Sequence, residues 1–263
     1  MMTRALRSQI AGTIERWYSI PLLLLLWQAA VGSGLVESRL LPSLLRVWSV
    51  LVTDTANGVL PYHTAITLGR AAIGFALAAI AGVPFAAAMA RSAIVRNLFE
   101  PIFLFGYPVP KIAFFPVFTY IFGIGSPSKI AFAFLECVYP IVVTAYLGFR
   151  AIPQSLIWTA ENMGASGATI VRRVVLPAAM PGIFSGLRIA LPVAIIVIVL
   201  TEMIGDSRGL GYYIAVSGTR FQYANVYAAI LVIGTCGFIL DRALLWLRDK
   251  SIYWQRDEAA AGL

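Results

Sequence analysis

Apolar residues fill this chain in long blocks separated by short polar stretches, and six of the blocks, at 20–36, 66–90, 101–122, 130–149, 183–204 and 226–247, predict helices. Each has the roughly 17 to 25 residues needed to cross a hydrocarbon core of about 30 Å. The pattern predicts an all-α integral membrane protein with six transmembrane helices. Residues 1–19 form a cytosolic N-terminal segment, 20–250 the membrane domain, and 251–263 a cytosolic tail.

Between the first two blocks, Leu44, Val47, Trp48, Leu51 and Val52 recur at helical spacing after Leu41-Pro42-Ser43. This predicts a short interfacial helix capped by Ser43, with Trp48 at headgroup level. Its alternative use is as a docking surface for an external partner. Gly69, Gly74 and Gly82 line the second block with small residues that let helices approach closely. The third block is interrupted by Pro101, Pro108, Pro110 and Pro116 and carries Lys111 near mid-membrane. Proline removes a backbone hydrogen bond, which is tolerated at that depth only where protein or a water-filled space supplies partners.

Composition agrees with the pattern: 60% of residues are hydrophobic, 12% are charged, and the mean hydropathy is +0.84. The distribution of basic residues sets orientation, because short Lys/Arg-rich loops remain in the cytosol. Arg4, Arg7, Arg16, Arg91, Arg96, Arg150, Arg172, Arg173, Arg248, Lys250 and Arg256 then lie inside, with both termini cytosolic. Arg39, Arg46, Arg208 and Arg220 lie outside, with Lys129 at a helix edge. The net charge of +8 reflects this topology and contact with lipid headgroups, not a nucleic-acid partner. No small-residue cleavage site follows the first block, so it is expected to be retained. Cys137 and Cys236 both fall inside spans without metal-ligand spacing and read as packing residues.

The polar connection at 150–182 is long for a link between packed helices. Its helical signal comes in two pieces, one before Gly164 and one from Ala168 to Val175, with Gly164-Ala165-Ser166-Gly167 as the bend. Gly164 supplies conformational freedom and Ser166 a cap. Ile170, Val174 and Val175 form an apolar edge, Arg172 and Arg173 point to water or headgroups, and Leu176-Pro177 is expected to end the element before the fifth span. Read from the residues alone, this hairpin either rests on the membrane face or is gripped by another protein.

Ionisable groups at membrane depth are costly and each is a functional hypothesis. Lys111 and Glu136 are the deepest; they either pair to fix helix packing or serve the solute pathway, with Glu202 a further pathway candidate. Arg70 and Glu202 near the outer surface and Arg188 near the inner are expected to snorkel. Asp241 beside Arg242 suggests a local or intersubunit ion pair. Enzymatic parts are missing: His63 is the one histidine, and no G-x-S-x-G, H-E-x-x-H or G-x4-G-K-[ST] motif occurs. Any ATP hydrolysis through such a loop belongs to a separate subunit.

The run from Gly164 to Leu176-Pro177 resembles the EAA loop of bacterial ABC importer permeases, although Trp158 stands where that motif has glutamate and Glu161 comes three residues later. Pro110-Lys111-Ile112-Ala113 with Pro116, Phe122-Gly123-Ile124-Gly125, Thr201-Glu202-Met203-Ile204-Gly205 with Gly209-Leu210-Gly211-Tyr212, and Gly237-Phe238-Ile239-Leu240-Asp241-Arg242 are similar to the nitrate, sulfonate and taurine branch. The resemblance implies the type I permease fold and a homodimer in the bacterial inner membrane. Two cytosolic ATPase subunits would carry the ATP, with no cofactor on this chain, and an extracytoplasmic binding protein would deliver the solute. It also implies an ATPase-coupling role for Ala160, Glu161, Gly164, Ala165, Ser166, Gly167, Arg172, Arg173, Leu176 and Pro177. A permease for a pyrimidine vitamin precursor, a stand-alone carrier or channel, and a membrane-embedded enzyme are the alternatives.

Overall fold

The computed structural model describes residues 18–34, 37, 40–106 and 109–255, which are helical apart from short turns. Arg4, Arg7, Arg16, Arg39, Pro108 and Arg256 lie outside the described residues, as do the last two residues of the first block. In chain order the helices are α1 (Ser19–Gly32), α2 (Leu44–Ala56), α3 (Val59–Arg91), α4 (Ala93–Gly106), α5 (Phe115–Phe122), α6 (Ser126–Arg150), α7 (Gln154–Asn162), α8 (Gly167–Ile170), α9 (Leu176–Gly205), α10 (Leu210–Thr219) and α11 (Tyr223–Ser251). A 3₁₀ turn, Lys111–Phe114, precedes α5, and a π turn, Val171–Val175, joins α8 to α9.

Four helical stretches among the described residues are long and apolar enough to cross a membrane: Val59–Arg91, Ser126–Arg150, Gly167–Gly205 and Tyr223–Ser251. The blocks at 20–36 and 101–122 form shorter apolar helices, Pro21–Gly32 and Lys111–Phe122. The third block does not run through as one span: α4 ends at Gly106 and helix resumes only at Lys111, after Pro110 in an extended conformation. Proline explains the restart, because Pro110 offers no N–H and Pro116 sits in the first turn of α5, where the missing donor costs nothing.

The described residues form two compact units, those up to 61 with 213–231 and those from 62 to 212 with the ones from 232 onward. In the first, Ser43 caps α2 as its sequence predicts, its hydroxyl accepting from the Arg46 N–H at 3.4 Å. Trp48 is exposed, while Trp27 donates its ring N–H to the Pro42 carbonyl at 3.0 Å and meets the Tyr227 ring edge-on. The Tyr213 hydroxyl donates to Asp54 and accepts from Asn225 at 2.8 Å.

The second unit is organised on the pairing of α6 with α9. A Cβ at Gly182 would lie 2.7 Å from Gly148 Cα, and one at Gly186 would lie 2.1 Å from Thr144 Oγ1. Only glycine permits this approach, the means by which helices gain dispersion contacts in lipid. Gly74 and Gly82 on α3 meet Ala133 and Ile141 of α6 in the same way, whereas Gly69 faces open space and is not part of that seam. Around it Ala78, Phe132, Ala133, Cys137, Ile141, Ala190, Ala194 and Ile198 are fully buried. Cys137 is a packing residue whose thiol points at the Ala190 carbonyl.

Candidate coupling loop and intramembrane charges

The hairpin at 150–182 is built by backbone chemistry. At the end of α7 the Gly164 N–H donates to the Glu161 carbonyl at 2.9 Å and the Ala165 N–H to the Ala160 carbonyl at 3.0 Å, with Gly164 at φ +77°. This is a Schellman motif, which satisfies the last carbonyls of a helix and requires a left-handed residue after the cap. Ser166 then opens the next helix, its hydroxyl accepting from the Thr169 N–H at 3.4 Å and sharing a hydrogen bond with the Thr169 hydroxyl at 2.9 Å. Ile170 is buried, and Arg172, Arg173, Glu161, Gly167 and Trp158 are exposed.

Leu176-Pro177 does not end the element. Helix runs unbroken from Gly167 to Gly205, so the second arm of the hairpin and the fifth predicted span are one rod of 39 residues. The π turn absorbs the proline: the Leu176 N–H reaches back five residues to the Val171 carbonyl. The widened turn leaves room for a ring that would otherwise strike the carbonyl four residues earlier.

Lys111 and Glu136 come together, as their paired reading anticipates. Lys111 Nζ lies 3.8 Å from Glu136 Oε2 and 5.0 Å from the centre of the Tyr139 ring, with side chains 20% and 16% accessible. The Tyr139 hydroxyl donates to the Phe103 carbonyl at 2.6 Å, satisfying a carbonyl that the break after α4 would orphan. Beside the break is a cavity of about 520 Å³, almost wholly apolar, lined by Phe103, Phe114, Phe118, Val138 and Tyr139 with Lys111.

Arg70 and Glu202 do not snorkel; both are almost completely buried. Arg70 Nη1 lies 2.8 Å from Glu202 Oε1 and 2.7 Å from Asp206 Oδ2, and Lys129 Nζ lies 3.1 Å from the same Asp206 oxygen. Lys129, in the first turn of α6, is thus buried as well. Glu202 Oε2 accepts from the Thr67 hydroxyl at 2.7 Å and the Gly211 N–H at 3.1 Å. Thr67 accepts from the Leu210 N–H at 2.8 Å, and His63 Nδ1 from the Gly209 N–H at 3.0 Å. Two cations and two carboxylates therefore pin the turn after α9 onto α3 and α6. Gly209 and Gly211 are required there, because a Cβ on either would fall 2.1 Å from Glu202 Cδ or the Val199 carbonyl. Burial works against the Asp206 charge, but the Lys129 ammonium, the Ser207 N–H and Arg70 hold its carboxyl below the usual range.

Sequence reasoning missed this cluster, although Thr67 and Arg70, three apart on one helix, were a signal that a polar face pointed inward. Asp241 pairs with Arg188 across helices, Nε to Oδ1 at 3.0 Å, and not with Arg242, which lies over the Phe238 ring. Arg188 is thereby an ion-pair partner. Among the described residues no group of three His, Cys, Asp or Glu side chains is placed to hold a metal ion.

Residues 74–252 match the family described as binding-protein-dependent transport system inner membrane component. The taurine transport system permease protein TauC of Escherichia coli (strain K12) is 32% identical over 241 residues, 90% of this chain and 88% of that protein. The putative aliphatic sulfonates transport permease protein SsuC of Bacillus subtilis (strain 168) is 28% identical, over 88% of this chain and 83% of that one. The fold is similar to that of a chain in inward-facing structures of the MetNI methionine ABC transporter, with a TM-score of 0.54 and 23% identity over 68% of this chain and 93% of that one. The chain belongs to the family of binding-protein-dependent transport system inner membrane components, the permease subunits of ABC transporters.

Proposed function

We propose that this chain, as a homodimer in a bacterial inner membrane with both termini cytosolic, forms the pathway by which an ATP-driven importer moves a small anionic solute of the nitrate, taurine or sulfonate type. Family membership implies an ATPase and a substrate-binding protein as partners, and the permease is not itself the enzyme. The ATPases bind at the hairpin 150–182, through Ala160, Glu161, Gly164–Gly167, Arg172, Arg173, Leu176 and Pro177.

One observation carries this reading: the second arm of the hairpin is continuous with α9 from Gly167 to Gly205. A force on the hairpin is therefore delivered along a single rod to the far end of the bundle. Nucleotide-dependent closure of two ATPases, each gripping one hairpin, would bias rigid-body movement of the two permeases between outward-facing and inward-facing states.

The test is co-expression with the cognate ATPase, purification of the complex, and reconstitution with the binding protein in proteoliposomes. Uptake that requires both ATP and the ATPase is expected. Uptake by the permease alone, or failure of the two proteins to associate, would overturn the reading.

A further inference from the structure

We propose that a cavity lined by Glu100 and three aromatic side chains binds an ammonium carried on an apolar body, either a free amphipathic amine or the headgroup of an aminophospholipid. The site is separate from the solute pathway and goes beyond the importer reading.

The cavity, of about 360 Å³, is lined by Met89 of α3, Glu100 and Phe103 of α4, and Tyr139, Val142 and Tyr146 of α6. That volume is in the range of small-molecule sites. Because α3 ends at Arg91 and α6 at Arg150, Met89 and Tyr146 place the cavity at the end of the bundle from which the hairpin leaves. Glu100 immediately precedes the apolar block at 101–122. It also lines a second hollow with Asn97, Pro101 and the exposed Phe105, so its carboxylate is reached from the surface of the bundle.

Glu100 lacks a counter-ion. It is half-buried, and among the described residues no hydrogen bond or ion pair reaches its carboxylate, Arg96 one turn earlier on the same helix included. A carboxylate taken partly out of water without a partner is costly and attracts a cation. Glu136, Glu202, Asp206 and Asp241 differ in this respect, since each faces a lysine or an arginine.

The remaining walls select the kind of cation. Aromatic rings attract cations to their faces, and the Tyr139 ring already carries the Lys111 ammonium 5.0 Å from its centre. Both tyrosine hydroxyls are engaged, that of Tyr139 by donating to the Phe103 carbonyl and that of Tyr146 by accepting from Arg150 Nη1 at 3.2 Å, so the rings are what these residues contribute. A hard metal ion would find one carboxylate and no second acidic or histidine donor among the lining residues, too few ligands to replace its water. An organic ammonium needs less: the carboxylate takes its charge, and the aromatic and aliphatic walls take its apolar body. Glu100 repels anions, which sets this site apart from the anionic solute proposed above.

The test uses the full chain in phosphatidylglycerol nanodiscs, with 2-phenylethylammonium as the probe and 2-phenylethanol as its uncharged counterpart. Ligand-observed NMR titration against empty nanodiscs measures both. Saturable binding of the amine, about tenfold tighter than that of the alcohol, is expected. Glu100→Gln should remove that difference without lowering the denaturation temperature, because it relieves an unpaired charge; a purely structural role for Glu100 would lower it. Val143→Phe keeps the charge but fills the cavity from its α6 wall, and should weaken the amine by about tenfold as well. No saturable binding, equal binding of amine and alcohol, a preference that survives Glu100→Gln, or undiminished binding in Val143→Phe would each overturn the proposal, and the last of these decides it if Glu100→Gln does not fold. Adding phosphatidylethanolamine to the nanodiscs then assigns the natural occupant. Competition that weakens the amine identifies the aminophospholipid, and unchanged binding identifies a free amine.

Discussion

Arg70 and Glu202, 132 positions apart, meet at 2.8 Å with side chains 5% and 0% exposed. Such a pair is held by geometry, because each charge has been removed from water and depends on its partner. Removing one partner leaves the other uncompensated, at a cost of about 3 to 5 kcal/mol. Glu202→Gln and Arg70→Met should each lower the denaturation temperature of the detergent-solubilised protein sharply. Because Arg70 also holds Asp206, Arg70→Met should be the more damaging. Equal, small effects from both would show that the cluster is not a structural clasp.

Asp206 gives the cluster a dependence on pH. Its folded-state carboxyl lies below the usual range, so the folded chain binds fewer protons than the unfolded one as pH falls through the window between the two values. Its stabilisation is therefore complete at neutral pH, begins to fall near the ordinary aspartate value of about 4, and is lost as the pH passes through the lower folded-state value. Asp206→Asn should be less stable than the parent at pH 7, and the gap should narrow as the pH falls below about 4. Denaturation temperatures measured from pH 7 to pH 3 decide this; a gap constant across the range would reject the assignment.

What the sequence disclosed and what it withheld divide along physical lines. Local chemistry was legible: Ser43 and Ser166 cap the helices they precede, and Gly164 takes the left-handed conformation of the bend. The pairing of Lys111 with Glu136 followed from the cost of each charge in the membrane. The four-charge cluster did not, because Arg70, Lys129 and Glu202 belong to three helices and hydropathy does not state which helix ends meet. Position near a span end suggested water for Arg70 and Glu202, whereas the turn at 206–211 folds over them. Leu176-Pro177 was misread as a stop, since a π turn that accommodates proline leaves no signature in composition.

Orientation is open to direct measurement. Ile124 is exposed in the turn before α6, and Ser166 is exposed in the bend beyond its other end. The basic residues place the bend in the cytosol. In a background lacking Cys137 and Cys236, cysteines at Ile124 and Ser166 should react with an impermeant thiol reagent from opposite sides, Ile124→Cys from outside. Labelling of Ser166→Cys from outside would refute the assignment of this loop to the cytosol.

Gly164 offers the sharpest separation of structure from coupling. A Cβ there would meet nothing within 4 Å, yet the backbone is at φ +77°. The requirement is thus conformational, not steric, and a left-handed residue with a side chain costs about 1 to 2 kcal/mol, least for asparagine. Gly164→Val should loosen the Schellman turn that sets the angle between α7 and α8, while leaving the apolar helices inserted. Retention of the ATPase during purification and ATP-driven uptake should both fall strongly in Gly164→Val and stay near the parent level in Gly164→Asn. Equal loss in both would mean that the bend needs the absence of a side chain for contact with a partner. Full activity in Gly164→Val would show that the hairpin's angle does not matter for coupling.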